Sequence, residues 1–351
     1  MPRVLRAKTN SNTGLVPFAI LFVMAICAAG MKQAAAEQAP PNPAAASITE
    51  EGYVRIGGID QWIQIRGQHR DNPVVLWLNG GPGFSTIPAT PLYSRWEQPF
   101  TVVMWDQRGE GKTFERSGRS VAASMTIAQM TKDGIEVAEY LRTRLGRHKI
   151  ILLGHSWGSI LGVHMVKQRP DLFSAYVGTG QVVQLSENAT AAYPLLTEYA
   201  RAIGNTQAER ELRGVGPPPY DDSPKKWVWV SWANRLDPFP ETAPRPPANV
   251  AAPPAFLQEG ADFSQGLMWE SMLRDDLRAL GPKFELPVIF IQGAEDRLTV
   301  TALAKQYFDS INAPSKQFVV LPKVGHLAIF RDPDAFLEAL TRHARPLALR
   351  K

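Results

Sequence analysis

The chain has 351 residues, a net charge of +5 and one cysteine, Cys27; 44% of its residues are hydrophobic and 20% are charged. This composition is typical of a globular protein and excludes a mainly disordered chain, a collagen and a coiled coil. A single cysteine excludes a disulfide scaffold and a cysteine-ligated zinc site within the chain, and one long apolar run is too few for a polytopic membrane protein.

Residues 1–36 have the pattern of a secretory signal peptide. Basic residues precede the uncharged stretch Leu15–Met31, and small residues ending at Ala36 follow it. We expect cleavage near Ala36, export to the periplasm or secretion, and no stable membrane association afterwards. A membrane anchor formed by an uncleaved leader is the alternative, although these 17 residues are short for a spanning helix, which needs about 20.

The excess of positive charge also lies in this leader. Residues 1–36 hold four basic residues and no acidic one, so the remainder of the chain carries nearly equal numbers of basic and acidic residues. A nearly neutral chain has little electrostatic reason to bind a polyanion. We therefore expect no nucleic-acid partner.

The residues after the leader predict an α/β architecture. Residues 37–50 are rich in Ala and Pro and predict a flexible linker, and Tyr53–Ile56 and Trp62–Arg66 flank two glycines and predict a β-hairpin. Apolar runs then alternate with segments of helical periodicity, which predicts a mostly parallel central sheet with helices on both faces. The predicted buried strands are Val74–Leu78, Thr101–Trp105, Ile150–Leu153, Ala175–Val177, Val288–Ile291 and Phe318–Leu321, and the predicted helices include Thr126–Leu145, Val300–Ile311 and Asp332–Ala344.

The alternation stops between residues 182 and 282. Prolines accumulate there, and the segment holds four of the nine tryptophans. Proline breaks both helices and strands, so this segment does not continue the sheet, and a single irregular loop of this length is uncommon. We predict that residues 182–282 form a lid inserted between the two parts of the core, residues 51–181 and 283–351.

The segment Gly154–Gly158, with the letters GHSWG, carries the main chemical signal. It follows the predicted strand Ile150–Leu153 and precedes a helical run, Ser159–Lys167. The pattern G-x-S-x-G between a strand and a helix is typical of a nucleophile elbow, whose strained turn exposes the serine hydroxyl and needs glycines on either side. Ser156 is therefore the candidate nucleophile; an ordinary glycine-rich turn is the alternative.

A serine nucleophile needs a base, and the elbow fold places an acid and then a histidine downstream. Asp296 and its neighbour Glu295 both follow a predicted strand, and we favour Asp296 as the acid that orients the base. His326 follows the next predicted strand and is the candidate base. His155, inside the elbow, is expected to pack against the site.

The reaction also needs donors for a developing oxyanion. The elbow fold supplies one from the backbone N–H that follows the nucleophile, here Trp157, and a second from the loop after an early strand. That loop reads Asn79–Gly83, with the letters NGGPG, and we favour Gly81 over Gly80 as the second donor. A plain Gly-Pro turn is the alternative.

Together these motifs resemble the α/β-hydrolase superfamily and, more narrowly, the proline iminopeptidase (prolyl aminopeptidase) family. The resemblance covers about residues 50–345 and implies a helical lid, a triad of Ser156, His326 and Asp296, and no metal or organic cofactor. It also implies that an amide or ester bond in a small molecule or short peptide is cleaved through an acyl-enzyme. The segments that carry it are Gly80–Gly83, Trp105–Gly111, Gly154–Gly158, Gly293–Asp296 and Gly325–His326.

The chain departs from the family in the loop and in the lid. Asn79 stands where the family loop starts with His, and Ala233 stands where a family glutamate follows a Trp-x-x-Trp pattern and grips the substrate amino group. Glu270 could supply that carboxylate, with Trp232 and Trp269 beside the substrate. A carboxylesterase or another small-molecule hydrolase is therefore the alternative function, and a non-catalytic binding module on the same fold is a third.

Asp106 and Arg108 lie just after a predicted strand, in the segment that resembles the family. They could pair with each other and brace the loop near the elbow. Direct contact with substrate is the alternative.

Overall fold

The computed structural model describes residues 47–220, 223–240 and 253–350. The predicted leader and residues 37–46 of the predicted linker lie outside them. The linker ends earlier than expected, because Ile48–Ile56 forms the first strand, β1, and pairs along its whole length with β2 (Ile59–Gly67). The predicted hairpin is present and is longer than its apolar core suggested.

The described residues form an eight-stranded sheet. Besides β1 and β2 it contains β3 (Val74–Leu78), β4 (Thr101–Asp106), β5 (Ile150–His155), β6 (Phe173–Thr179), β7 (Val288–Gly293) and β8 (Lys316–Leu321), in the order β1-β2-β4-β3-β5-β6-β7-β8. The pairings of β1 with β2 and of β2 with β4 are antiparallel, and the remaining six strands run parallel. The mostly parallel sheet predicted from the sequence is therefore confirmed.

Alternate residues of the central strands enter two separate cores, one on each face of the sheet. In β3, Leu76 packs with one cluster of buried apolar residues, and its neighbours Val75 and Trp77 pack with the other. A strand that is covered on both faces has a continuous apolar sequence, which is why these strands could be predicted from the sequence. The exception is β8, at one end of the sheet, where Leu321 alone is buried and the other five residues are half-buried or exposed, so the expectation of a buried strand there was wrong.

Helices cover both faces of the sheet, and several begin and end at residues that the sequence indicates. Thr126 caps α2 (Ile127–Leu145) by accepting a hydrogen bond from the Gln129 N–H at 3.1 Å, and Gly146 ends that helix in the left-handed conformation. Asp332 caps α10 (Pro333–His343) in the same way. The other helices outside the segment between β6 and β7 are α1 (Gly111–Ser117), α3 (Trp157–Gln168), α8 (Thr301–Ser310), α9 (Ala328–Arg331) and α11 (Arg345–Ala348), with 3-10 turns at Ile87–Glu97, Gly118–Ser124 and Pro170–Leu172.

Between β6 and β7 the chain leaves the sheet. The described part of residues 182–282, which we call the lid, contains helices α4 (Leu185–Ala202), α5 (Thr206–Val215), α6 (Ser223–Arg235) and α7 (Ala255–Arg274) and a 3-10 turn at Leu277–Leu280. In the ranges that the structure describes, we find no helix with the length and apolarity needed to cross a bilayer.

Candidate active site

Ser156 lies between β5 and α3 with φ 54° and ψ −119°. A non-glycine residue rarely adopts positive φ, at a cost of about 1–3 kcal/mol, so the surrounding chain must hold this turn. A Cβ on Gly154 would lie 2.4 Å from the Gly158 carbonyl oxygen, and one on Gly158 would lie 2.1 Å from the Leu78 oxygen. The two glycines are therefore required by close backbone contacts, as a nucleophile elbow demands.

His326 and Asp296 meet at the carboxyl edge of the sheet. The imidazole Nδ1 lies 3.1 Å from Asp296 Oδ2, and Asp296 Oδ1 accepts the backbone N–H groups of Leu298 and Thr299 at 2.9 and 2.7 Å. The Thr299 hydroxyl donates to Asp296 Oδ2 at 2.7 Å and lies 3.0 Å from the His326 Nδ1. Sequence reasoning did not single out Thr299, although it follows Asp296 in the same turn.

These contacts shift the pKa of both partners. Burial alone would lower the pKa of His326, but the charge and the hydrogen bond of Asp296 raise it above its ordinary value. Burial would raise the pKa of Asp296, but His326 and the donors of the turn hold that pKa below its ordinary value. The arrangement therefore favours an ionised aspartate beside an imidazole that readily accepts a proton.

The competing acid, Glu295, has a different partner. Its carboxylate accepts a hydrogen bond from Arg297 at 2.9 Å and is partly exposed. Among the described residues, Asp296 and not Glu295 is the carboxylate that contacts the His326 ring.

Ser156 and His326 line the same cavity, which has a volume of about 100 Å³. The described contacts include no hydrogen bond between the two side chains; catalytic hydrogen bonds often form fully only when a substrate binds. His155 packs beside them: its Nε2 donates to the His326 carbonyl oxygen at 3.1 Å, and burial lowers its pKa to about 3. His155 is therefore neutral and holds the loop of the candidate base.

The first N–H of α3 and the loop after β3 supply the candidate donors for an oxyanion. The N–H of Trp157 is the first of α3 and has no partner within the helix. Gly80 and Gly81 both line the cavity; a Cβ on Gly80 would lie 3.2 Å from the Ser156 Cβ, and Gly81 has φ +117°. Gly80 lies directly beside the candidate nucleophile, so both glycines remain candidate donors.

A buried chain of side chains connects these two donor segments. The Trp157 indole donates to Gln107 Oε1 at 3.0 Å, and Gln107 Nε2 donates to Asn79 Oδ1 at 2.5 Å. Asn79 Nδ2 then donates to the Phe84 carbonyl oxygen at 2.6 Å and to the Glu110 carboxyl. The side-chain bonding of Asn79 thus holds the loop, and Gln107 is a site residue that the sequence had shown only as part of a motif.

Asp106 and Arg108 do not pair with each other, contrary to one expectation. Arg108 forms a buried, two-point ion pair with Asp133 of α2, at 2.9 and 3.2 Å. Asp106 accepts hydrogen bonds from the Ser85 hydroxyl at 2.5 Å and the Lys112 N–H at 2.8 Å, and burial raises its pKa to about 6. Neither Asp106 nor Arg108 lines the cavity, so the two brace different neighbours.

The lid residues proposed as substrate contacts separate into two groups. Trp269 lines the cavity, together with Trp227 and Trp229, which sequence reasoning had not selected. Trp232 is buried and donates to Glu211 Oε2 at 2.8 Å, outside the cavity lining. Glu270, with 79% of its side chain exposed, pairs with Arg274 on the outer face of α7 and does not line the cavity.

The cavity lining is neutral apart from the titratable histidines. Among the described residues it is made of glycines, aromatic and aliphatic side chains, the hydroxyls and amides of Ser, Thr, Asn and Gln, and the two histidines, without a carboxylate. A buried ammonium group needs a charged partner, so this lining suits an uncharged acyl group better than a free amino terminus.

Comparison with known proteins places these features in context. The α/β-hydrolase fold family model matches residues 73–333. A Bacillus subtilis protein named "Probable aminopeptidase YbaC" is 31% identical over 316 residues, covering 86% of this chain and 98% of that protein. A Streptomyces coelicolor "Probable proline iminopeptidase" is 26% identical, covering 84% of this chain and 95% of its own.

The solved structures of other proteins show the same fold. The proline iminopeptidase-related protein of Thermus thermophilus matches with a TM-score of 0.61 at 22% identity, over 86% of this chain and 99% of that one. The proline iminopeptidase of Mycobacterium smegmatis matches with a TM-score of 0.58 at 18% identity, over 86% and 99%.

Proposed function

Because the chain belongs to the α/β-hydrolase fold family, we propose that it is a serine hydrolase that cleaves an amide or ester bond through an acyl-enzyme. One observation carries this proposal: Ser156, at a strained elbow, and His326, paired with Asp296, line one cavity. A binding module has no need of a strained serine opposite a histidine–aspartate pair.

In the proposed reaction, His326 Nε2 takes the proton of Ser156 Oγ while that oxygen attacks the substrate carbonyl carbon. The backbone N–H of Trp157 and one from Gly80 or Gly81 stabilise the oxyanion, and Asp296 stabilises the imidazolium. His326 then gives the proton to the leaving amine or alcohol, and the acyl group remains on Ser156. Water attacks the acyl-enzyme in the same way and restores the free serine.

We propose that the activity is that of an aminopeptidase of the proline iminopeptidase type, whose substrate carries a free amino terminus. Its support is the similarity to proteins with those names, one of them 31% identical over nearly its whole length. A small molecule or short peptide is the expected partner, since the cavity volume is only about 100 Å³. The leader pattern supports the further proposal that the chain is exported.

A second candidate is a carboxylesterase or another hydrolase of uncharged small molecules. The absence of a carboxylate among the described residues of the cavity lining favours it, since a free amino terminus would lack a charged partner there.

The test compares two substrates on the purified protein, with Ser156→Ala as the blank. Cleavage of the anilide of free proline, lost when its amino group is acetylated, would support the aminopeptidase. Cleavage of a short-chain nitrophenyl ester alone would support the second candidate. If neither is cleaved and Ser156 resists a serine-directed phosphonate, the proposal of a hydrolase fails and a non-catalytic binding module takes its place.

A further inference from the structure

A carboxylate from the lid is buried against the backbone of the candidate base. Asp237 lies two residues after the end of α6, and only 1% of its side chain is exposed. Its Oδ1 accepts the backbone N–H of His326 at 2.6 Å, and its Oδ2 accepts that of Leu327 at 3.3 Å. One lid side chain therefore receives both consecutive N–H groups of the loop that carries the imidazole.

Residues of the core also accommodate Asp237. A Cβ on Gly325 would lie 2.2 Å from Asp237 Oδ1, so the residue before His326 must be glycine for the carboxylate to reach the loop. The Arg331 guanidinium approaches Asp237 Oδ2 to 3.9 Å and lies over the Phe239 ring at 4.2 Å. Asp237 and Phe239 thus fasten the end of the described α6 segment to the loop and to the helix that follows it.

A buried carboxylate is costly unless its hydrogen bonds and charge are compensated, so this one needs a reason to be there. Among the described residues, the charged or titratable groups that face it are Arg331, His326 and Asp296, and His155 faces His326 from the elbow. Burial, together with the charge of Asp296, raises the pKa of Asp237 to about 7. Above about pH 7, where Asp237 is ionised, its negative charge in turn helps to raise the pKa of His326.

The helix that leads to Asp237 forms one wall of the cavity. Trp227, Trp229, Val230 and Asn234 of α6 all line it. A substrate that contacts this wall therefore contacts the helix that ends just before Asp237.

We propose that Asp237 is a positioning residue that fixes the His326 ring relative to Ser156. Through Asp237, a shift of helix α6 would also shift the His326 ring. The inference rests on the proposed hydrolase function for its kinetic part only. It predicts that the lid takes part in turnover through the base, and not only by shaping the cavity.

The test is Asp237→Asn in the full-length protein, compared with Glu211→Gln. Glu211 is the control for loss of a lid carboxylate: it is half-buried and accepts hydrogen bonds from Gln207 and Trp232, away from the base. Asn keeps one acceptor and loses the charge, and its amide N–H₂ would face a backbone donor. For Asp237→Asn we expect kcat to fall by about tenfold to a hundredfold with KM nearly unchanged, and the acid limb of kcat/KM to move to lower pH.

Titration of the His326 ring by NMR, assigned with His326→Gln, measures the same coupling without any substrate. The His326 midpoint should fall in Asp237→Asn and stay in place in Glu211→Gln. An unchanged midpoint with an unchanged kcat/KM profile would overturn the inference, even if the variant were less stable. If the protein cleaves no substrate, the proposed function fails, and NMR still decides the inference: the ring and backbone resonances of His326 must move in Asp237→Asn and stay in place in Glu211→Gln.

A second variant covers the case in which Asp237→Asn does not fold. Gly325→Ala keeps the charge, but its Cβ would lie 2.2 Å from Asp237 Oδ1 and 2.9 Å from the Glu295 carbonyl oxygen, so the carboxylate and the loop must move apart. The inference requires a lower kcat or a displaced His326 midpoint in this variant as well; wild-type behaviour in both would overturn it.

Discussion

The Trp157 indole donates to the side-chain oxygen of Gln107 at 3.0 Å, beneath the candidate oxyanion site. Because Gln107 also donates to Asn79, it connects the two segments that carry the candidate N–H donors. The two segments follow the neighbouring strands β3 and β5, and this buried amide links their side chains beyond the strand pairing.

We expect Gln107→Leu to lower kcat by about tenfold or more, because a small displacement of an oxyanion donor removes much of its effect. Gln61→Leu is the matched control: Gln61 is also buried and accepts an indole N–H, from Trp105 at 2.8 Å, far from Ser156. Both variants should lose stability to a similar degree. Equal kcat values in the two variants would contradict the role of Gln107.

The pH dependence follows from the pair of His326 and Asp296. Burial opposes protonation of His326, but Asp296 raises the pKa above its ordinary value of about 6.5. Only the neutral imidazole accepts the serine proton, so kcat/KM should fall as the pH drops through a midpoint above about 6.5. A midpoint at or below that value, measured in the pH profile of the wild type, would contradict this assignment.

Replacement of Asp296, the acid that orients His326, should cause a large loss of activity. Asp296→Asn would leave the wrong ring nitrogen protonated and should reduce kcat by about 10⁴-fold. Glu295→Gln is the control, since Glu295 pairs with Arg297 and not with the imidazole. Comparable losses in both variants would mean that the acid has been misassigned.

Loss of the buried ion pair should lower the free energy of unfolding much more than loss of the exposed ion pair. Arg108→Ala leaves Asp133 buried without its charged partner and should lower the free energy of unfolding by about 3–5 kcal/mol. Arg274→Ala removes an exposed pair with Glu270 and should change it by less than about 1 kcal/mol. Urea unfolding of both variants checks the difference; similar changes would show that Arg108 is not the brace that its contacts suggest.

The elements that the sequence predicted well depend on local patterns. The central strands are continuous apolar runs, and Gly154–Gly158 is a motif whose glycines are required by close backbone contacts around the turn. The family resemblance and the parallel sheet followed from these, and both are confirmed.

The contacts of the lid were harder to predict from the sequence, because they depend on which face of each helix points toward the cavity. Trp269 and Met272 face the cavity, whereas Glu270, about 100° further around α7, faces solvent. The contact of Asp237 with His326 joins residues 89 positions apart, and no spacing in the sequence marks it. The export signal lies outside the described residues and remains a prediction.

The strand that precedes His326, β8, lies at one end of the sheet, and this position has a kinetic consequence. Among the described strands, β8 pairs only with β7, so it can detach without breaking any other pairing of the sheet. Segments with few partners open at a lower free energy than the whole molecule, which amide hydrogen exchange detects. We expect the amides of β8 to exchange faster than those of β5, and mild heating to abolish turnover before the central strands, with Ser156 at their edge, come apart.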